Sequence, residues 1–272
     1  MIEEVTKQVG KNKYHCITAG KGEPLVLLHG FTGTSDTWRP FMERWASAFR
    51  VIAIDLPGHG KTDTPDFPNM VEFCDELAEI LHLFSIKKCH LLGYSMGGRA
   101  GLSFSKRHPD YLESLLLESA SPGLKTEGER EQRQKQDQQL ADKIVTEGIP
   151  LFVDMWENLP LFATQKGLPE SLQQQVRNER MVQTEAGLAK SLQYMGTGVQ
   201  PSWWDQLNSL RIPVYLIVGN LDGKFVEINQ TMEKMMTQSE LVVVHESGHA
   251  VHVEQAEKFA TIVMEFLYLK NT

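Results

Sequence analysis

The sequence predicts an α/β fold: a mostly parallel sheet with helices on both faces and a helical cap inserted late in the chain. Three observations carry that expectation. Short apolar runs alternate with helix-length segments. The alternation stops between about residues 124 and 204, where no strand-like run occurs. A Gly-x-Ser-x-Gly turn, Gly93-Tyr94-Ser95-Met96-Gly97, joins a strand to the helix that follows it.

Taken in order, residues 25–29, 51–55, 89–92, 115–118, 213–218 and 241–244 read as strands. They are apolar on both faces, as strands of a parallel sheet covered by helices must be. Helices are expected at about 35–48, 71–84, 96–107 and 253–269. The stretch from 124 to 204 is rich in Gln, Glu and Arg and too polar for a sheet layer. It reads as a helical cap, with 1–123 and 205–272 forming the core.

Composition bounds the function. The 272 residues carry 27 Lys+Arg against 35 Asp+Glu, a net charge of −8, which argues against nucleic acid as a partner. At 41% hydrophobic and 23% charged, the chain can bury a full core. No secretory signal is visible, and the apolar runs are too short to cross a bilayer. Cys16, Cys74 and Cys89 are odd in number and form no CxxC pair. They read as reduced, buried thiols of a cytoplasmic protein, with no metal site and no cofactor expected. Oligomeric state is not legible.

The chemistry-bearing residues fall at strand ends. Gly93 and Gly97 flank Ser95 because the turn leaves no room for side chains, and the strain presents the hydroxyl. A serine hydroxyl needs a base, usually a His held by a carboxylate. In chain order after Ser95 come Asp222, for which capping a turn is the lesser reading, and His249; each follows a strand. His245 and His252 compete with His249 less well, since one ends the strand and the other begins the last helix. The glycine turn His29-Gly30-Phe31-Thr32-Gly33 could aim the Phe31 N–H at a substrate oxygen, and the Met96 N–H could meet it there as an oxyanion hole. Asp55-Leu56-Pro57-Gly58-His59-Gly60 reads as a structural turn, with His59 packed rather than catalytic.

These motifs, in this order, resemble the α/β-hydrolase superfamily over nearly the whole chain. Ser95 stands where dehalogenases and epoxide hydrolases of that superfamily carry Asp, which excludes both. Further features narrow the reading. Arg99 lies one helical turn beyond Ser95, Arg130, Arg133, Arg177 and Arg180 lie in the cap, and Lys224 adjoins Asp222. Arginine clamps carboxylates with its planar fork.

Gly93-Tyr94-Ser95-Met96-Gly97-Gly98-Arg99, Ser121-Pro122-Gly123-Leu124, Trp156 to Phe162, Asp222-Gly223-Lys224-Phe225 and Gly248-His249-Ala250-Val251-His252 together resemble the 2-succinyl-6-hydroxy-2,4-cyclohexadiene-1-carboxylate synthase family of menaquinone biosynthesis. The resemblance implies a lyase that eliminates pyruvate from a small tricarboxylate, without metal or organic cofactor. It implies that the serine acts as a base on a ring C–H. It also implies that Arg99, Arg133 and Arg180 hold carboxylates while Tyr94 and Trp156 line the pocket, with Arg130 and Arg177 as competing positions. The alternatives are a serine esterase or a carbon–carbon bond hydrolase using the same triad, and a catalytically silent binding protein on the same fold.

Overall fold

The computed structural model describes residues 1–268. Eight strands form one sheet: β1 (Glu3–Val9), β2 (Asn12–Ala19), β3 (Glu23–Leu28), β4 (Phe49–Ile54), β5 (Cys89–Tyr94), β6 (Leu112–Glu118), β7 (Val214–Gly219) and β8 (Ser239–Val244). Their spatial order is β1-β2-β4-β3-β5-β6-β7-β8. From β4 to β8 every pairing is parallel, while β1–β2 and β2–β4 are antiparallel.

The first two strands form a hairpin absent from the sequence reading. Its outer strand is mostly exposed, with Glu3, Glu4, Thr6 and Gln8 facing water. That polarity hides a strand from any search for apolar runs, and it also blunts an open sheet edge. Gly10, at φ +56°, makes the tight turn between Val9 and Asn12.

The expected first helix is two pieces. A 3-10 turn covers Ser35–Trp38 and α1 covers Arg39–Trp45, started by Pro40 in its first turn. α2 spans Met70–Leu83, and Asn69 and Glu72 cap each other's backbone N–H at its start. α3 spans Met96–Arg107. The C-terminal segment is also divided, into α8 (Val251–Glu254) and α9 (Ala256–Tyr268); residue 269 of the expected helix lies outside the described residues. A further helix, α7 (Gly223–Met235), was not anticipated.

Between β6 and β7 the chain forms α4 (Glu127–Glu157), a 3-10 segment (Pro160–Gly167), α5 (Glu170–Met181) and α6 (Glu185–Met195). α4 is two helices in one: Gly148 takes φ +83° and Pro150 follows, so the axis breaks there. Apolar residues on both sheet faces bury separately. Phe73, Leu77, Phe104 and Met232 pack on one face, and Trp38, Trp45, Phe259 and Val263 on the other. A third cluster, including Ile144, Phe152 and Leu188, sits within the α4–α6 pair. The sheet core thus fixes the strand ends, and the helices after β6 stand over them.

Candidate active site

Ser95 sits between β5 and α3 at φ +50°, a backbone conformation costing about 1–3 kcal/mol. Three contacts force it. A Cβ on Gly93 would collide with the Gly97 carbonyl, and one on Gly97 would collide with the Leu28 carbonyl. One on Gly98 would come within 2.6 Å of the Ala120 methyl. The Ser95 N–H donates to the Glu118 carbonyl at 2.8 Å, tying the turn to β6.

The triad expected from chain order is assembled. His249 Nε2 lies 3.0 Å from Ser95 Oγ, and His249 Nδ1 lies 2.7 Å from Asp222 Oδ2. Asp222 also caps α7, its Oδ1 accepting from the Phe225 N–H at 3.3 Å. The capping and orienting readings of Asp222 are therefore both met, one by each oxygen. Gly248, before the histidine, donates its N–H to Glu254 Oε2 at 2.8 Å.

The competing histidines are elsewhere. His252 Nδ1 meets both oxygens of buried Glu118 at 2.9 Å, and its ring packs on Tyr94 at 4.5 Å. His59 is buried against the Pro57 carbonyl, and burial pushes it down to about 3, so it stays neutral. His29 is likewise depressed by burial; its Nε2 accepts from the Leu56 N–H, so its Nδ1–H donates to the Gly30 carbonyl.

Ser95 and His249 open onto a cavity of about 360 Å³. Phe31, Tyr94, Met96, Arg99, Arg133, Trp156 and Lys224, all expected at the site, line it. Ser121, Gly123 and Leu124 line it too. Among the described residues, neither the Phe31 N–H nor the Met96 N–H meets an acceptor. Met96 follows the nucleophile directly in the chain, and a Cβ on Gly30, the residue before Phe31, would lie 3.6 Å from Ser95 Cβ.

Arg99 reaches from α3 to the cap. Its Nη1 donates to the Met195 carbonyl at 2.9 Å and to Gln200 Oε1. Both partners are neutral, so its charge is not cancelled. Burial, and then the neighbouring Arg133, hold its guanidinium below the ordinary value, which marks a pocket with unmet positive charge. Arg133 donates Nε to Asp137 Oδ1 at 2.7 Å and lines the cavity, its side chain 40% exposed.

Arg180 stands apart from Arg99 and Arg133. Its guanidinium lies behind the Phe162 ring, 4.8 Å from the centroid, bonded to Gln165 and 3.5 Å from Glu157. It lines a cleft of about 470 Å³ in the cap, as does Arg177, which is bound by Asp154 and Glu157, and it also lines a small pocket shared with Phe31 and Tyr94. Arg130 donates to the Leu124 and Lys125 carbonyls and is no rival to Arg133 in the cavity. Asp137 and Gln200, which hold the two cavity arginines, escaped the sequence reading, as did Leu192, Met195 and Ile228 in the cavity wall. No local pattern marks them. Among the described residues, no cluster of His, Cys, Asp and Glu is arranged to hold a metal, and no helix is long and apolar enough to cross a membrane.

The family described as alpha/beta hydrolase fold matches residues 23–256. The chain belongs to that family. It is 44% identical over 248 residues to a protein of Bacillus subtilis (strain 168) provisionally named a 2-succinyl-6-hydroxy-2,4-cyclohexadiene-1-carboxylate synthase, covering 90% of each. It is 30% identical to the synthase of that name from Salmonella typhimurium, covering 85% of this chain and 88% of that one. The solved structure of MenH from S. aureus superposes with a TM-score of 0.91 at 35% identity, over 95% of this chain and 99% of the other.

Proposed function

We propose that this α/β-hydrolase-fold protein is a carbon–oxygen lyase, a 2-succinyl-6-hydroxy-2,4-cyclohexadiene-1-carboxylate synthase of menaquinone biosynthesis. It eliminates pyruvate from 2-succinyl-5-enolpyruvyl-6-hydroxy-3-cyclohexene-1-carboxylate. One observation supports it most: the Ser95–His249–Asp222 relay opens into a cavity that also holds Arg99 and Arg133, charged and facing no carboxylate except Asp137. An ester of a neutral acid has no use for such a pocket. A substrate with three carboxylates has.

The chemistry follows from the placement. Ser95 Oγ takes the ring proton next to the succinyl ketone and passes its own proton to His249 Nε2. Asp222 keeps the proton on Nδ1 and stabilises the imidazolium. Negative charge moves onto the ketone oxygen, where the Phe31 and Met96 N–H groups receive it. The ring carbon–oxygen bond then breaks, and the enolpyruvyl group leaves as pyruvate enolate, which is protonated to pyruvate. Arg99 and Arg133 hold two carboxylates, and Lys224 stands at the mouth for steering. Arg180 meets the third carboxylate only if the Phe162 ring turns aside. Tyr94 and Trp156 wall the ring site, and the helices of 124–204 act as a cap that keeps water from the carbanion. No metal or organic cofactor enters these steps. The free, buried cysteines suit a cytoplasmic enzyme.

The test is pyruvate formation when the enzyme that makes the enolpyruvyl substrate is coupled to this protein. Stoichiometric pyruvate with appearance of the cyclohexadiene is expected. Fast turnover of p-nitrophenyl acetate with no pyruvate would instead make this an esterase.

A further inference from the structure

Gln183, in the loop between α5 and α6, is buried to 6% exposure although it belongs to neither the cavity nor the triad. Its Nε2 lies 3.1 Å from the Thr32 carbonyl and 3.1 Å from the Gly33 carbonyl. The same nitrogen lies 3.3 Å from the Glu179 carbonyl. Its Oε1 accepts from the Gly60 N–H at 3.2 Å. A cap side chain thus grips the two residues that follow Phe31.

Those residues need a grip. Thr32 takes φ +72°, a left-handed conformation that a β-branched residue adopts only when its surroundings over-determine it. On the inner side, Gly33 N–H and His29 Nδ1–H both donate to the Gly30 carbonyl. On the outer side, the Thr32 and Gly33 carbonyls meet Gln183. Without it, Thr32 can relax toward ordinary φ, and rotating that residue turns the adjoining peptides and moves the Phe31 N–H.

We infer that Gln183 is a positioning residue: it couples the docked cap to the oxyanion hole by fixing the conformation of Thr32 and so the aim of the Phe31 N–H at the substrate oxygen. The inference rests on the oxyanion role proposed for Phe31. It makes cap docking a condition of catalysis as well as of binding. Glu179, one turn earlier, offers a contrast. Its carboxylate accepts from the Thr34 N–H at 2.8 Å and from the Thr34 and Thr37 hydroxyls, so it holds the cap without a hydrogen bond to residues 31–33.

The experiment compares Gln183→Glu, Gln183→Met and Glu179→Ala with wild type in pyruvate release and in slow p-nitrophenyl acetate hydrolysis, with circular dichroism to confirm folding. Gln183→Glu keeps the acceptor for Gly60 and loses both donors. It should lower kcat about 30-fold in each reaction, somewhat less than the roughly 10²–10³-fold cost of losing an oxyanion donor outright because the Phe31 N–H is displaced and not removed, while KM moves less than about threefold. Gln183→Met should behave alike, and Glu179→Ala should act mainly on KM. Adding Thr32→Gly to Gln183→Glu should recover part of kcat, because glycine takes positive φ without strain. A folded Gln183→Glu protein with kcat within twofold of wild type, or a loss confined to KM, overturns the inference. So does a failure of Thr32→Gly to restore any activity. The ester reaction reads the oxyanion hole whether or not pyruvate is released, so a failed lyase assignment and a failed role for Gln183 give different results.

Discussion

At the sheet edge, the Ser95 turn and the Asp222 carboxylate are held by the main chain; above it, Arg133 and Arg180 are held by other side chains. The nucleophile turn is wedged by backbone carbonyls against Gly93 and Gly97 and by the Ala120 methyl against Gly98, and Asp222 is anchored at a helix start. The cap arginines depend on Asp137, Glu157 and Gln165, each at the end of a rotatable chain. Arg99 spans both regions, rooted in α3 and bonded to the cap at Met195 and Gln200. The contrast teaches where precision resides. Proton transfer needs atoms fixed to a fraction of an ångström, and backbone provides that. Recognition of a flexible substrate, such as the tricarboxylate proposed above, tolerates side chains that can shift.

Substitutions can break this contrast in graded steps. The largest effect belongs to the sheet edge. Ser95→Ala and His249→Ala should each lower kcat by about 10⁴ or more, Asp222→Asn somewhat less, and the double and triple variants should be scarcely worse than the worst single one. Steady-state kinetics on folded variants checks this, and additive losses would mean that the three do not act as a unit.

Next comes Arg99→Ala, expected to cost about 2–5 kcal/mol in kcat/KM, since a desolvated charge pair is lost. Arg99→Lys should recover only part, because an ammonium lacks the planar fork. A folded Arg99→Ala enzyme with near-wild-type kcat/KM would remove the carboxylate role. Smaller losses are expected at Arg133→Ala, whose side chain is 40% exposed. Arg180→Ala should be smaller still, and mostly in KM, because Phe162 stands between it and the cavity. If Arg180→Ala proves as damaging as Arg99→Ala, the cavity must open past Phe162 during turnover.

How much of this was legible in the sequence follows the same division. Gly93, Gly97 and the strand before Ser95 are a local pattern with a local cause, so the elbow and triad could be read directly. Arg99 could be read because four residues make one helical turn. The hairpin β1–β2 could not, since its outer strand is polar where a buried strand is apolar. The order of the cap arginines could not either. What separates Arg133 from Arg130, or puts Phe162 before Arg180, is a set of partners distant in sequence. The bond from Arg99 to Gln200 joins residues 101 apart, and that from Gln183 to Thr32 joins residues 151 apart.

The smallest effect concerns stability in acid. Burial holds His59 at about 3 in the folded protein, well below its ordinary 6.5. As pH falls from 6.5 toward 3, the unfolded chain takes up a proton that the folded chain refuses, so stability falls. His59→Leu removes that group and should flatten the acid limb while leaving stability near pH 7 little changed. Urea unfolding at pH 7 and pH 5 measures it; equal acid sensitivity in both proteins would contradict the assignment.

The central claim is that the Ser95–His249–Asp222 relay removes a ring proton instead of forming an acyl-enzyme. The direct measurement is single-turnover pyruvate release from substrate carrying deuterium at the ring carbon beside the succinyl ketone, with mass spectrometry of the quenched protein. Single turnover keeps product release from masking the chemical step. The account predicts a primary isotope effect on pyruvate release and no mass added at Ser95. An unchanged rate together with a substrate-derived adduct on Ser95 would contradict it.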